Sequence, residues 1–366
     1  MRDLIAAIFS VVGTVSIWFD FLAYNVVASI ILTRSSLRLG LLMSFTTIFV
    51  AFIARPLGAY VFGLIGDKFS SKSSLILTLT IMGVSTLLIS MVTRAWYTAY
   101  ELLILRVAQG MALGGEWAAA SVLTYESVRG DVGRFLTSLI QLGVPLGMLL
   151  TTFVMIQWRL TLLAGSLLSL SSAAIILVFA QSVRPIKWKP PLRIEDFKRV
   201  LRAIGIKFGE SSSFYVYTSV FLIYINEHEV PGLITVAAAS LLIFTLLASI
   251  ALTRASPTRA LMIGYIIFIL VNVLMFRIQP LLLFMLFGLA DAITYTPQSL
   301  YLISLFRSDI KHIGAGVSYH VASSLGGLMT YIISLLISMY GLKAGFVAIP
   351  ALLTASCITS IIALTI

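Results

Sequence analysis

Seven ionisable side chains lie well inside long apolar segments of this 366-residue chain. A charged group in such surroundings is costly, so these groups usually pair, line a water-filled path or carry protons. Carboxylates take up and release protons, and arginines bind carboxylates. The first candidates for chemistry are therefore Asp20, Arg55, Arg106, Glu116, Lys207, Glu210 and Asp291.

Asp20 and Arg106 are expected to reach similar depths. At 1.5 Å per residue, Asp20 lies about 24 Å from the start of the first apolar segment, and Arg106 about 14 Å from the start of the fourth. If the two segments run in opposite directions, both residues fall in the same half of a core about 30 Å thick. We expect them to pair, so that protonation of Asp20 releases Arg106; the alternative is a static pair that only fixes helix register.

Three of the seven residues belong to the second half of the chain. Lys207 and Glu210 are three residues apart and share a helix face, where they either satisfy each other or act in gating. Asp291 lies about 16 Å into its segment, near the middle of a bilayer. The nearest cation in the sequence, Arg277, lies outside that segment, so we expect Asp291 to act in binding.

The composition indicates a chain that lies mostly in lipid. Hydrophobic residues make up 60% and charged residues 11% of the sequence, the mean hydropathy is +1.06, and a soluble domain has roughly 25% charged residues. The single cysteine, Cys357, excludes an internal disulfide and a cysteine-based metal site. No cofactor, metal or nucleic-acid partner is expected. The first apolar stretch is too long for a cleavable signal peptide.

The apolar segments predict an all-α polytopic membrane protein, since an open sheet would leave backbone groups unpaired in hydrocarbon. A span needs about 20 apolar residues. Twelve such segments are present, at 4–32, 39–66, 74–93, 97–124, 135–157, 160–181, 203–226, 231–252, 260–276, 280–304, 315–340 and 344–366.

The positive charges indicate the orientation of these spans. Of the 25 Lys and Arg residues, 16 lie in loops on the side of the two termini, 6 on the opposite side and 3 within spans. Because cytoplasmic loops carry the excess of positive charge, both termini are predicted to be cytoplasmic.

The longest connector divides the chain into two predicted halves. Residues 182–202 contain three prolines and seven basic residues, as expected of a linker near anionic headgroups. The predicted organisation is a six-helix half at 1–181, a cytoplasmic linker at 182–202 and a second six-helix half at 203–366. Two such halves are typical of transporters built from repeats.

The segment RPLGAYVFGLIGDKFSSKSS, residues 55–74, resembles the loop motif of the major facilitator superfamily. Gly63, Asp67, Lys68 and Lys72 match the motif, whereas Ser70 and Ser71 stand where Gly-Arg is usual. The Arg-Pro-Leu-Gly at its start is similar to the metabolite:proton symporter branch. Segments 16–29, 106–127, 141–150, 207–228 and 296–327 resemble the same branch in order.

The resemblance implies a major-facilitator fold and secondary active transport of a small carboxylate or zwitterion, with proton symport, by a monomer in the cell membrane. It implies proton coupling by Asp20, Arg106 and Glu210. The candidates for substrate binding are Asp20, Tyr24, Arg55, Arg106, Glu116, Tyr215 and Asp291. The candidates for a gating charge cluster, loosened by the two serines, are Gly63, Asp67, Lys68, Lys72, Glu126 and Arg129.

Three other functions were weighed. A passive uniporter is the first, because Ile17 stands where the branch has a protonatable Glu. A receptor or subunit that transports nothing is the second, and the retained charges within spans argue against it. A membrane enzyme is excluded, because the histidines are scattered, at His228, His312 and His320, and no catalytic constellation is present.

Overall fold

The computed structural model describes residues 1–32, 37–92, 97–155, 157–181 and 193–366, and nearly all of these residues are helical. The first half of the chain contains α1 Arg2–Leu32, α2 Leu37–Lys68, α3 Ser71–Ser90, α4 Tyr97–Ser127, α5 Gly130–Leu139, α6 Gly143–Leu150 and α7 Trp158–Phe179. The second half contains α8 Ile194–Tyr217, α9 Val230–Ala251, α10 Pro257–Leu274, α11 Pro280–Tyr295, α12 Gln298–Ser304, α13 Lys311–Tyr340 and α14 Leu342–Thr365.

Every predicted span contains helix over the described ranges. The seventh leaves α8 at Tyr217 and passes through a turn into a 3₁₀ helix at Val220–Tyr224, and two other spans are interrupted within their length. The fifth consists of α5 and α6 with 3₁₀ turns at Ile140–Leu142 and Thr151–Met155. The tenth is divided into α11 and α12 just before Gln298. Pro145 and Pro297 lie at these interruptions, and each lacks the N–H that a continuous helix requires.

Ten helical stretches in the described ranges are long and apolar enough to cross a membrane. α4 and α8 are not among them, although both correspond to predicted spans. α4 contains Arg106 and Glu116, and α8 contains Lys207 and Glu210. The candidate functional charges thus lower the hydropathy of the helices that hold them.

The start of α8 differs from the predicted boundary. The helix begins at Ile194, so residues 194–202 are helical rather than part of an irregular linker. The carboxylate of Asp196 accepts a hydrogen bond from the backbone N–H of Arg193 at 2.9 Å, which caps the helix. Residues 182–192 of the predicted linker lie outside the described residues.

The first compact unit comprises Met1–Pro191 and Phe306–Val317. In this unit α2 and α4 pack backbone to backbone through glycines. A Cβ atom at Gly58 would lie 2.1 Å from the carbonyl oxygen of Met111, and one at Gly114 would lie 2.0 Å from that of Arg55. Only glycine therefore fits at these crossing points.

The second compact unit comprises Leu192–Leu305 and Ser318–Ile366. Aromatic rings from α8 and α11 form part of its core. The rings of Tyr217 and Phe287 are stacked with centroids 4.6 Å apart, and Phe284 meets Tyr217 edge-on at 6.3 Å. This packing holds α8 against α11, the two helices that hold Lys207, Glu210 and Asp291.

Candidate functional site

Arg106 lies fully buried on α4 and makes hydrogen bonds only to neutral groups. Its guanidinium donates to the side-chain oxygen of Gln109 at 2.9 Å, to that of Asn25 at 3.1 Å and to the carbonyl of Phe21 at 3.3 Å. The ring of Tyr24 lies 4.1 Å from the guanidinium carbon. Among the described residues, no carboxylate forms a hydrogen bond or ion pair with the guanidinium of Arg106.

A second buried guanidinium shares an aromatic ring with Arg106. The guanidinium carbons of Arg55 and Arg106 lie 4.3 Å and 4.4 Å from the centroid of Phe21. Arg55 also lies 4.1 Å from the ring of Phe52 and 5.4 Å from that of Trp18. Aromatic faces stabilise a desolvated cation. The two guanidinium groups thus lie around one aromatic ring inside the first unit.

Asp20 does not form the ion pair that we expected with Arg106. Its Oδ2 accepts a hydrogen bond from Ser169 on α7 at 3.0 Å, and its Oδ1 has no hydrogen-bond partner among the described residues. Gly165 lies so close that a Cβ there would be 2.1 Å from Oδ1. Successive residues on a helix point about 100° apart. Asp20 therefore faces α7, whereas Arg106 reaches the neighbouring carbonyl of Phe21.

Glu116 is a second fully buried carboxylate of the first unit. The hydroxyl of Thr14 donates a hydrogen bond to its Oε1. Its Oε2 has no hydrogen-bond partner in the described part of the chain. Like Asp20, Glu116 thus has only an uncharged donor as its hydrogen-bond partner, and burying an anion in this way is costly.

The second unit contains a polar cluster on α8 and α12. Nζ of Lys207 donates to Glu210 at 2.5 Å and to the side-chain oxygen of Gln298 at 3.0 Å. The amide of Gln298 in turn donates to Glu210 at 3.2 Å. Nζ of Lys207 also lies 4.0 Å from the ring centroid of Tyr319, whose hydroxyl meets that of Tyr295 at 2.8 Å. The cluster is buried throughout.

Asp291 lies within electrostatic range of Lys207 and Glu210, although the sequence suggested no cation near it. Its side chain is 1% exposed, and its Oδ1 has no hydrogen-bond partner among the described residues. Because α8 begins at Ile194, Lys207 lies about 20 Å into that helix, far deeper than a start at residue 203 would place it. Lys207 pairs with Glu210, and Asp291 is a second buried carboxylate within electrostatic range of that pair. Tyr215 is half-buried and packs edge-on against Phe214.

Asp67 caps the N-terminus of α13. Its carboxylate accepts hydrogen bonds from the backbone N–H groups of His312 at 2.9 Å and Ile313 at 3.0 Å. Nδ1 of His312 lies 2.8 Å from the same carboxylate, and Nε2 lies 2.8 Å from the hydroxyl of Ser71. A Cβ at Gly63 would lie 2.9 Å from Cα of Ile313. The end of α2 is thus held closely against the start of α13.

The contacts given for the remaining gating candidates are to other partners than those of Asp67, and one candidate, Glu126, also reaches the start of α13. Lys72 donates to the last carbonyls of α7, at 2.8 Å to both Leu177 and Ala180. Glu126 forms an ion pair with Lys311 at 2.9 Å. Lys68 lies 5.6 Å from the ring of Phe69. Arg129 is the exposed residue that precedes α5.

The two serines that depart from the loop motif both make hydrogen bonds. Ser70 caps α3 by accepting a hydrogen bond from the backbone N–H of Ser73 at 3.1 Å. Ser71 bonds to His312, a contact that the sequence analysis did not identify. Lys311, His312 and Gln298 were all missed as site residues. All three lie in the segment 296–327, which resembles the metabolite:proton symporter branch. That resemblance was the signal that could have identified them.

Comparisons with known proteins agree with this architecture. The sequence model of the Major Facilitator Superfamily matches residues 10–331. The shikimate transporter of Escherichia coli K12 is 38% identical over 40% of this chain and 36% of its own length. The inner membrane metabolite transport protein YhjE of the same organism is 27% identical over 92% of this chain and 88% of its own.

A solved structure shows the same fold. The proton:xylose symporter XylE superposes with a TM-score of 0.75 at 12% sequence identity, over 99% of this chain and 94% of its own. The family model covers most of the chain, and the relatives that match it are metabolite transporters rather than enzymes. This chain therefore belongs to the Major Facilitator Superfamily of membrane transporters.

Proposed function

We propose that this transporter moves a small organic anion, most simply a carboxylate, across the cell membrane in symport with protons. The observation that carries the proposal is the buried guanidinium of Arg106, whose hydrogen-bond partners are all neutral. An uncompensated buried charge is costly. A carboxylate that arrives with the substrate removes this cost, and Arg106 and Arg55 share the ring where it would bind.

The proposed proton carriers are carboxylates that do not face a cation of their own. Asp20 accepts a hydrogen bond from Ser169. Asp291 lies within electrostatic range of Lys207, but Lys207 pairs with Glu210. Protonation removes the cost of burying such an anion, and an inward proton gradient would then drive the conformational cycle. In this proposal Arg106 binds the substrate and does not form an ion pair with Asp20. Protonation of the carboxylates and binding of the substrate at Arg106 then act on the same conformational change.

The proposed gate consists of the contacts at the start of α13. Asp67 accepts two backbone hydrogen bonds and the His312 contact, and Glu126 pairs with Lys311. In alternating access these contacts would form in one state and break in the other. We place this gate and both termini on the cytoplasmic side, because 16 of the 25 basic residues fall in the loops of that side. We also propose that the working protein is a monomer.

The test is uptake by purified protein in liposomes, with and without an inward proton gradient. The solutes to compare are shikimate, a dicarboxylate, proline and xylose. Substitution Arg106→Gln should lower uptake of the transported acid by about 10- to 100-fold, the value of one charged hydrogen bond of 1.5–3 kcal/mol. Arg277→Gln is the matched control, since Arg277 is exposed at the end of α10. Transport of xylose alone would refute the anion proposal.

The same assay tests proton coupling. Asp20→Asn should abolish the response of uptake to the proton gradient while leaving counterflow of the solute measurable. If Asp20→Asn keeps the wild-type pH dependence, Asp20 is not the proton carrier. If wild-type uptake ignores the gradient altogether, the protein is a passive uniporter, and binding of solute without uptake would identify a receptor.

A further inference from the structure

A cavity of about 420 Å³ lies where α9 ends and α10 begins, within the second unit. Most of its lining is apolar and includes Leu252, Ile263 and Pro297. Two arginines, Arg254 and Arg259, complete the lining. The cavity thus combines a hydrophobic interior with two positive charges, and it lies on other helices than the buried arginines of the first unit.

Within the described ranges, the side chains of the two arginines have no hydrogen-bond or ion-pair partner. Both side chains are exposed, and neither makes a hydrogen bond or ion pair to any residue that the structure describes. The sequence contains no Asp or Glu between Glu229 and Asp291, and Asp291 is buried. No counter-ion for Arg254 and Arg259 is therefore available along these helices, and the charges are free to bind an external anion.

The surroundings of the cavity indicate what kind of anion fits. Large apolar side chains are exposed beside it, with Ile250 58% exposed on α9 and Ile263 54% exposed on α10. In a membrane transporter such side chains face acyl chains. α9 ends at Ala251 and α10 begins at Pro257. The two arginines near these helix ends therefore lie at the boundary between hydrocarbon and headgroups. Basic pockets at this boundary suit anionic headgroups.

We propose that this cavity binds an anionic phospholipid, with the phosphate on Arg254 and Arg259 and part of an acyl chain against the apolar lining. A free phosphate uses the charges but leaves the hydrophobic interior unfilled. A zwitterionic lipid fills the interior but carries a second, positive group that the arginines repel. Of these three ligands, only an anionic phospholipid matches both the two arginines and the apolar lining of the cavity.

The test is native mass spectrometry of the detergent-purified protein, titrated separately with phosphatidylglycerol, phosphatidylcholine and inorganic phosphate. The double variant Arg254→Gln/Arg259→Gln should bind phosphatidylglycerol about 30-fold more weakly, equivalent to about 1 kcal/mol for each arginine near a membrane surface. The control is Arg277→Gln/Lys343→Gln, which removes two exposed charges, one after α10 and one at the start of α14, and should leave binding unchanged.

A third variant tests the hydrophobic half of the site. Ala251 lines the cavity and is exposed, so Ala251→Trp should fill the space without disturbing the core. It should weaken phosphatidylglycerol binding and leave binding of inorganic phosphate unchanged. Equal binding of phosphatidylglycerol and phosphatidylcholine, equal losses in both double variants, or inorganic phosphate binding as tightly as the lipid would each overturn the proposal.

Discussion

Removing the positive charge of Lys207 should destabilise the second unit strongly. Lys207→Met keeps the length of the side chain and abolishes the 2.5 Å ion pair with Glu210, whose partners are then Gln298 at 3.2 Å and Ser211 at 3.3 Å. Both ends of the pair are nearly inaccessible, with exposures of 2% and 5%. Breaking a buried pair costs 3–5 kcal/mol. Because two neutral donors remain, we expect about 3 kcal/mol.

A double-mutant cycle measures the interaction energy of Lys207 with Glu210 separately from the energies of their other contacts. Glu210→Gln alone leaves Lys207 buried with Gln298 and the ring of Tyr319, and should cost a similar amount. Lys207→Met/Glu210→Gln removes both charges of the pair and should be close to wild type in stability, so that the coupling energy is the sum of the two single costs, about 6 kcal/mol. The measurement is equilibrium unfolding in mixed micelles, followed by tryptophan fluorescence.

A more exposed pair provides the reference. Arg307 and Asp309 form an ion pair at 3.1 Å with side chains 24% and 16% exposed. The corresponding cycle with Arg307→Gln and Asp309→Asn should yield less than about 1 kcal/mol. If the Lys207 and Glu210 substitutions prove additive within about 0.5 kcal/mol, the buried ion pair does not exist as described and the reasoning about this cluster is wrong.

Two further predictions concern the first unit. Gly114→Ala places a methyl group 2.0 Å from the carbonyl oxygen of Arg55, and should destabilise the protein by about 1–3 kcal/mol in the same unfolding assay. Gly232→Ala meets nothing within 4 Å and should be neutral or stabilising by up to about 1 kcal/mol; equal effects of the two changes would contradict the packing of α2 on α4. Asp67→Ala removes the cap of α13 and should raise hydrogen exchange at the backbone amide of Ile313 by about 2- to 30-fold, from a cap worth about 0.5–2 kcal/mol. Unchanged exchange there would exclude the capping role.

The twelve spans were predictable because about 20 apolar residues are needed to cross a bilayer, and such runs are visible without any knowledge of packing. The interruptions of the fifth and tenth spans were also foreseeable, since Pro145 and Pro297 cannot continue a regular hydrogen-bond ladder. The spans of α4 and α8 were also recognised, although both helices contain several charged residues, because each keeps a long apolar stretch.

The partners of the buried charges were not predictable in the same way. Depth along a helix follows from counting residues, but direction around the helix depends on how neighbours pack. Asp20 and Arg106 were placed at similar depths, yet Asp20 bonds to Ser169 and Arg106 bonds to Asn25 and Phe21. A difference of one residue on α1 turns a side chain by about 100°, enough to change its partner.

The lysine beside Asp291 was missed for a different reason. Charged residues before position 203 made that stretch of sequence resemble a solvated linker, although it is the first part of α8. An error in the helix start moves every later residue along the helix axis. Counted from residue 203, Lys207 falls near the start of its span, so its position within electrostatic range of Asp291 was not recognised.

The glycine contacts between α2 and α4 have a consequence for the two buried arginines. Arg55 lies on α2 and Arg106 on α4, and the helices touch through backbone atoms at Gly58, Gly110 and Gly114. A contact without side chains offers no alternative rotamers through which the helices could slide. The separation between the two guanidinium groups should therefore stay constant while the transporter changes state, and the anion that we propose they bind would be limited to the same size on both faces of the membrane.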